Sequence, residues 1–193
     1  VKDLINKNKD FQELFLLISL LDSQNIPKAL LDAYKDENIV ESFIYNLKKY
    51  NLLINDFAST SLPTTSTYSL HRSTQETILA YLKNSLNSKE LHQILQPLFL
   101  SMEKYLTPIL ENEETSKMLA VESHYKKLLS HQDLLTETIE GAIEGQLGNL
   151  YYHIGNYDTS QKILEESLKK LQKHPKDNAV RIAAVQVYLG NLY

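Results

Sequence analysis

The chain of 193 residues carries 24 acidic and 20 basic side chains, a formal net charge of −4, five Gly, five Pro and no Cys. The lack of Cys excludes disulfides and thiolate metal sites and agrees with a reducing, cytoplasmic setting. The negative balance offers no field for neutralising phosphates, so nucleic acid is not a favoured partner. Few turn formers and abundant Leu, Lys, Glu and Gln predict a mostly α fold, and apolar runs such as Leu14 to Leu21 are far short of the ~20 residues that span a bilayer.

The segment Phe11 to Leu21 is apolar on nearly every side, which predicts a helix buried at the centre of a small domain. Asp22-Ser23-Gln24-Asn25 breaks it, and Pro27 sits at or near the first position of a second helix, Lys28 to Tyr34, where its missing N–H costs nothing. Val40, Phe43, Ile44, Leu47 and Tyr50 recur at helical spacing and predict a third helix over about 39–50. Leu52-Leu53-Ile54 and Tyr68-Ser69-Leu70 read as two short strands joined by a Ser/Thr/Pro loop from Ser59 to Thr67. Ser73-Thr-Gln-Glu76 has the pattern of a capping box opening a fourth helix that runs to about Leu86. Three helices, a two-stranded wing and a fourth helix describe a winged-helix domain over 1–88.

Asn87-Ser88-Lys89 marks a boundary, after which Leu91, Leu95, Leu98, Met102, Leu106 and Leu110 predict a long amphipathic helix with possible kinks at Pro97 or Pro108. A further helix over about 116–130 completes a connecting region, 89–132. Between Glu103 and Glu144, nine acidic residues face four lysines, which reads as a solvated helical face.

The pentapeptide Leu147-Gly148-Asn149-Leu150-Tyr151 recurs unchanged 42 residues later as Leu189-Gly190-Asn191-Leu192-Tyr193. A period of that length is one helix-turn-helix unit, so 133–193 reads as one full and one truncated repeat of an α-solenoid. Helix A should end at Gly155-Asn156, helix B should run from about Asp158 to Lys173, and the next helix A should start near Asn178. Gly148 and Gly190 would permit close helix approach, with Leu147, Tyr151, Tyr157, Leu164 and Leu168 filling the interface. The second copy stops at Tyr193 and the chain opens at Val1, so the expectation is a piece of a longer protein, with an open solenoid edge able to self-associate.

Leu147-Gly148, Tyr151, Gly155 and Tyr157, with small Ser160 and Ser167, resemble a tetratricopeptide repeat of the 42-residue, kinesin-light-chain-like variety. The front part is similar to the winged helix of NB-ARC and other STAND-type switch ATPases. That likeness rests on Ile26-Pro27 with Leu30-Leu31, on Leu47 to Leu53, and on Leu70-His71-Arg72 with Gln75. The resemblance implies that His71 contacts the β-phosphate of ADP in the parent protein, although Arg72 departs from the Asp frequent at that place. It also implies an upstream nucleotide-binding domain, since these residues hold no Gly-x-x-x-x-Gly-Lys-Ser/Thr loop and the segment needs no cofactor of its own.

A concave repeat face would present Asn149, Tyr152, His153 and Asn191 to a protein or peptide ligand, the Asn amides pairing with peptide backbone through donor and acceptor together. His92, His124, His131 and His153 are scattered without a hydrolase or metalloprotease pattern, so no enzyme is expected. The reading is therefore a regulatory and interaction segment of a nucleotide-switch protein. Two rivals stand beside it: a repeat scaffold with no nucleotide module, and a winged-helix transcription regulator whose third helix offers only Lys48 and Lys49 to DNA.

Overall fold

The computed structural model describes residues 2–54 and 66–193, which are mostly helical. The expected Ser/Thr/Pro loop falls largely on 55–65, outside the described residues. The chain divides into two compact units, Val1–Tyr105 and Leu106–Tyr193. The expected limits at 88 and 132 are not where this division falls; it lies within one long helix.

In the first unit, α1 (Lys2–Lys7) leads to α2 (Lys9–Leu20), whose N-cap Asn8 accepts from the backbone N–H groups of Asp10 and Phe11 at 2.9 and 3.3 Å. Leu14 to Leu17 are all fully buried, as an all-round apolar helix requires, and Phe15 and Phe11 meet Phe43 edge to face at 4.8 and 5.4 Å. Next come β1 (Ile26–Pro27), α3 (Lys28–Tyr34), α4 (Glu37–Lys49), β2 (Leu53–Ile54), β3 (Thr67–Leu70) and α5 (Arg72–Ser85). The strands form an antiparallel sheet in the order β1-β3-β2, with Ile26 opposite Tyr68 and Leu53 opposite Leu70. The sequence reading missed α1 and β1. Two residues carry no alternation to recognise, and Pro27 is tolerated because β1 is an edge strand.

α5 starts one residue before the expected capping box. β3 pairs as far as Leu70, so the chain turns at His71, whose carbonyl accepts from the N–H groups of Thr74 and Gln75 at 2.9 and 3.1 Å. Ser73 is thus inside the helix, and Glu76 pairs with Arg72 Nε at 3.1 Å. A capping box does occur at Asn87 and Glu90, whose side chains each accept the other's backbone N–H at 2.9 and 3.0 Å, and it opens α6 (Ser88–Glu111). α6 runs without interruption through Pro97 and Pro108, with Leu91, Leu95, Leu98, Met102, Leu106 and Leu110 buried.

The second unit holds α7 (Thr115–Leu129), a 3₁₀ turn at Gln132–Leu134, α8 (Glu137–His153), α9 (Tyr157–Leu171) and α10 (Ala179–Leu192). The expected limits of the repeat helices agree closely with these. Gly155 ends the α8 turn at φ 79°, a conformation that only glycine adopts without strain.

Candidate functional site

Two places collect the residues singled out by the sequence. The first is the β3–α5 junction. His71 is exposed, and its imidazole makes no capping hydrogen bond to the helix it precedes. Beside the first turns of α5 lies an open groove of about 320 Å³, with Ile5, Leu52, Ile78 and Tyr81 as apolar lining and Ser73 and Thr74 as polar lining. His71 is not among its lining residues.

Inside this junction, Gln75 is 3 % exposed and its amide donates to the carbonyls of Ile18 at 2.6 Å and Leu21 at 3.3 Å. These carbonyls belong to the end of α2, where the helix itself supplies no partner, and burial removes water as an alternative. Gln75 therefore fixes where α5 sits against α2 and hence where His71 stands.

The face of α4 bears on the DNA-binding rival. Its exposed residues include Glu37 and Glu41 ahead of Lys48 and Lys49. Lys28 is already engaged with Asp32 at 3.0 Å, Glu41 at 3.1 Å and Glu37 at 3.6 Å. Burial works against the Lys28 charge, but those carboxylates more than offset it and raise its pKa. A phosphate approaching the first turns of α4 would meet carboxylates.

The second place is the repeat. Three glycines of α8 face α9: a Cβ on Gly141 would lie 3.0 Å from Lys170 Cβ, on Gly145 3.1 Å from Ser167 Oγ, and on Gly148 2.6 Å from Leu164 Cγ. The small residues expected on α9 are fully buried, with Ser160 Oγ donating to the Gly148 carbonyl at 2.8 Å and Ser167 Oγ to that of Gly141 at 2.6 Å. Leu147, Tyr151 and Leu164 are buried as expected, whereas Tyr157 is 57 % exposed and fills no interface. It starts α9 and turns outward to meet Tyr152, with ring centroids 5.8 Å apart.

Tyr152 is the centre of an aromatic cluster supplied by α8, α9 and α10. It also meets His153 at 5.6 Å and Tyr188 at 5.8 Å, and His153 meets Tyr188 at 6.4 Å. Tyr152 is half-buried and His153 exposed, so the cluster offers aromatic edges and one imidazole to solvent. Asn149 is buried, its Oδ1 without a hydrogen-bond partner among the described residues, while its repeat equivalent Asn191 is exposed. The two amides are not equivalent on the surface, because α10 covers α8 on the Gly145 side, where Val185 Cγ2 approaches. Sequence reading missed Tyr188, since the residue 42 positions earlier is Gln146 and the repeat gave no signal there.

Charge also holds α9 on α8. Lys170 pairs with Glu140 at 2.9 Å and with Glu144, and Lys173 pairs with Glu137 at 2.6 Å. Burial pushes the Glu144 carboxyl up despite the ammonium beside it, and the Lys170 ammonium is raised because its two carboxylates outweigh burial. The pair shifts in one direction for different reasons. The Lys170 contribution is fully present below its ordinary value of 10.5 and is lost only as pH rises through its raised folded value. Lys170→Met leaves two half-buried carboxylates facing each other and is expected to cost about 1 kcal/mol at neutral pH. The cost should shrink at acid pH, where protonation of the carboxylates relieves their repulsion. Urea unfolding at neutral and acid pH checks this; a cost independent of pH would assign the effect to packing instead.

Among the described residues no helix is long and apolar enough to cross a membrane. No family model matches the chain, and no curated protein or solved structure matches it.

Proposed function

We propose that the chain is a non-catalytic regulatory and protein-interaction segment of a nucleotide-switch protein of the STAND/NB-ARC type. Residues 2–85 act as its winged helix, and residues 137–193 begin a tetratricopeptide array that binds a protein or peptide partner. The observation that carries this reading is the order of elements around β1-β3-β2: helices and a first strand, two helices, a strand pair and a closing helix, with an exposed histidine where the last strand ends. The glycine-mediated packing of α8 on α9 and the aromatic cluster around Tyr152 support the repeat half. The carboxylates on α4 weigh against the DNA-binding alternative, because nucleic-acid affinity rests largely on phosphate contacts with Lys and Arg.

In this reading the His71 imidazole holds the ADP phosphate and biases the switch toward its closed state, and a partner on the repeats shifts that equilibrium only through unequal affinity for the two states. His71→Ala in the protein carrying the nucleotide module is expected to speed ADP release roughly 10- to 100-fold, the loss of one hydrogen bond to a charged group of about 1.5–3 kcal/mol. Tyr188→Ala should leave ADP release unchanged. An unaltered release rate in His71→Ala would remove the histidine from the switch.

A further inference from the structure

We propose that the aromatic cluster around Tyr152 takes a proline-rich peptide in the polyproline II conformation; this rests on the reading of 137–193 as partner-binding repeats and names the class of partner. The cluster is built by three helices, with Tyr152 and His153 from α8, Tyr157 from α9 and Tyr188 from α10. Its rings meet at interplanar angles of 53 to 86°, so no two of them stack face to face. The internal repeat shows which surfaces a following repeat would cover. α9 lies over Gly141, Gly145 and Gly148 of α8, whose counterparts 42 residues on are Ala183, Val187 and Gly190. Tyr188 is not among them, and its own counterpart, Gln146, stays half-buried with α9 and α10 both in place. His153 and Tyr157 are exposed with α10 already beside them. The cluster is therefore a face that the stacking of repeats leaves open.

The chemistry of the cluster selects its occupant. No carboxylate, ammonium or guanidinium belongs to it, so an acidic side chain meets no fixed cation. A basic one gains only the ~0.5–1 kcal/mol of an exposed ring face. What the cluster supplies is ring faces beside donors: among the described residues the hydroxyls of Tyr152, Tyr157 and Tyr188 and the imidazole of His153 make no hydrogen bond. A helical ligand brings carbonyls that its own N–H groups already satisfy, and an ordinary extended strand brings N–H groups in search of carbonyls. A proline-rich segment brings carbonyls without the matching N–H groups, together with apolar rings that lie on aromatic faces. The spacing agrees. The rings of Tyr157 and Tyr188 each lie 5.8 Å from that of Tyr152 and are thus at most about 12 Å apart. One polyproline II turn of three residues rises ~9 Å, so prolines at i and i+3 reach both outer rings.

Fluorescence anisotropy of the full chain tests this with labelled peptides of equal length: Pro-x-x-Pro repeats with uncharged x, the same peptide with alanine for proline, a Glu-rich peptide and a Lys-rich peptide. The proline peptide should bind with little dependence on salt, and the alanine peptide about 10-fold more weakly. Tyr157→Ala and Tyr188→Leu should each weaken binding of the proline peptide about 10-fold or more, the scale of an aromatic anchor. Tyr188→Phe, which keeps the ring and loses the donor, should fall between these and the wild type. Tyr45→Ala, at an exposed tyrosine of the first unit, should change nothing. Equal binding of the proline and alanine peptides, or binding indifferent to Tyr157→Ala and Tyr188→Leu, would overturn the proposal. A preference for the Glu-rich or Lys-rich peptide that those two variants abolish would overturn the proline class while leaving the repeats as a partner-binding surface. Binding of none of the peptides would count against both.

Discussion

Gln75→Met should destabilise the first unit by about 3 kcal/mol, although it replaces one side chain with another of nearly the same length. The amide donates to Ile18 and Leu21 carbonyls from a site only 3 % exposed, and an acceptor left unsatisfied in such a place costs about 1–3 kcal/mol. The thioether fills the volume and supplies no donor, so the substitution isolates the hydrogen bonds from the packing. Gln75→Glu should be worse at neutral pH, since a carboxylate directed at two carbonyls repels them and loses its own hydration. Urea unfolding gives the magnitude, and faster amide exchange at the end of α2 gives its place. Should Gln75→Met match the wild type, water or a backbone shift must satisfy those carbonyls, and Gln75 would not be what sets α5 and His71 against α2.

Gly148→Ala and Gly190→Ala should move stability in opposite directions, although the five residues around each are identical. At Gly148 the new methyl would lie 2.6 and 2.7 Å from Leu164 Cγ and Cδ2, and Leu164 is fully buried. α9 would have to retreat, stretching the Ser160 hydrogen bond to the Gly148 carbonyl. Overpacking of this kind costs about 1–3 kcal/mol, against which the better helix propensity of alanine returns up to ~1 kcal/mol. A net loss of about 1 kcal/mol is expected. At Gly190 the methyl meets nothing within 4 Å, and the propensity term alone should stabilise the chain by a few tenths of a kcal/mol, less than the full amount because the site lies in the last turn. Urea unfolding of both variants under the same conditions compares them directly. Equal effects would mean that the close approach of α8 and α9 does not govern the glycine at 148.

The candidate sites were partly legible in the same way. Tyr152 and His153 lie near the end of α8, close to the expected helix limit, because breakers and a repeat period are written locally, whereas His71, expected two residues ahead of the cap, is itself the N-cap of α5. Tyr188 was not legible, since its part in the aromatic cluster depends on α10 lying across α8. Asn149 and Asn191 show the same limit: one pentapeptide, two exposures.

What the sequence by itself determined is the helical class, the approximate limits of the helices from α2 onward, the all-round burial of α2 and the 42-residue unit. Each follows from periodicity or from residues that fix φ, ψ or a cap within a few positions. Only the tertiary structure decided the third strand, the start of α5 and the sign of each glycine's effect. Ile26 pairs with Tyr68 and Leu53 with Leu70 across long stretches of chain, and that pairing overrode a local capping signal at Ser73. Burial likewise belongs to the partner element and not to the residue. Gly148 is closed over by α9 and Gly190 is not, so identical local chemistry acquires opposite energetics from what is packed against it.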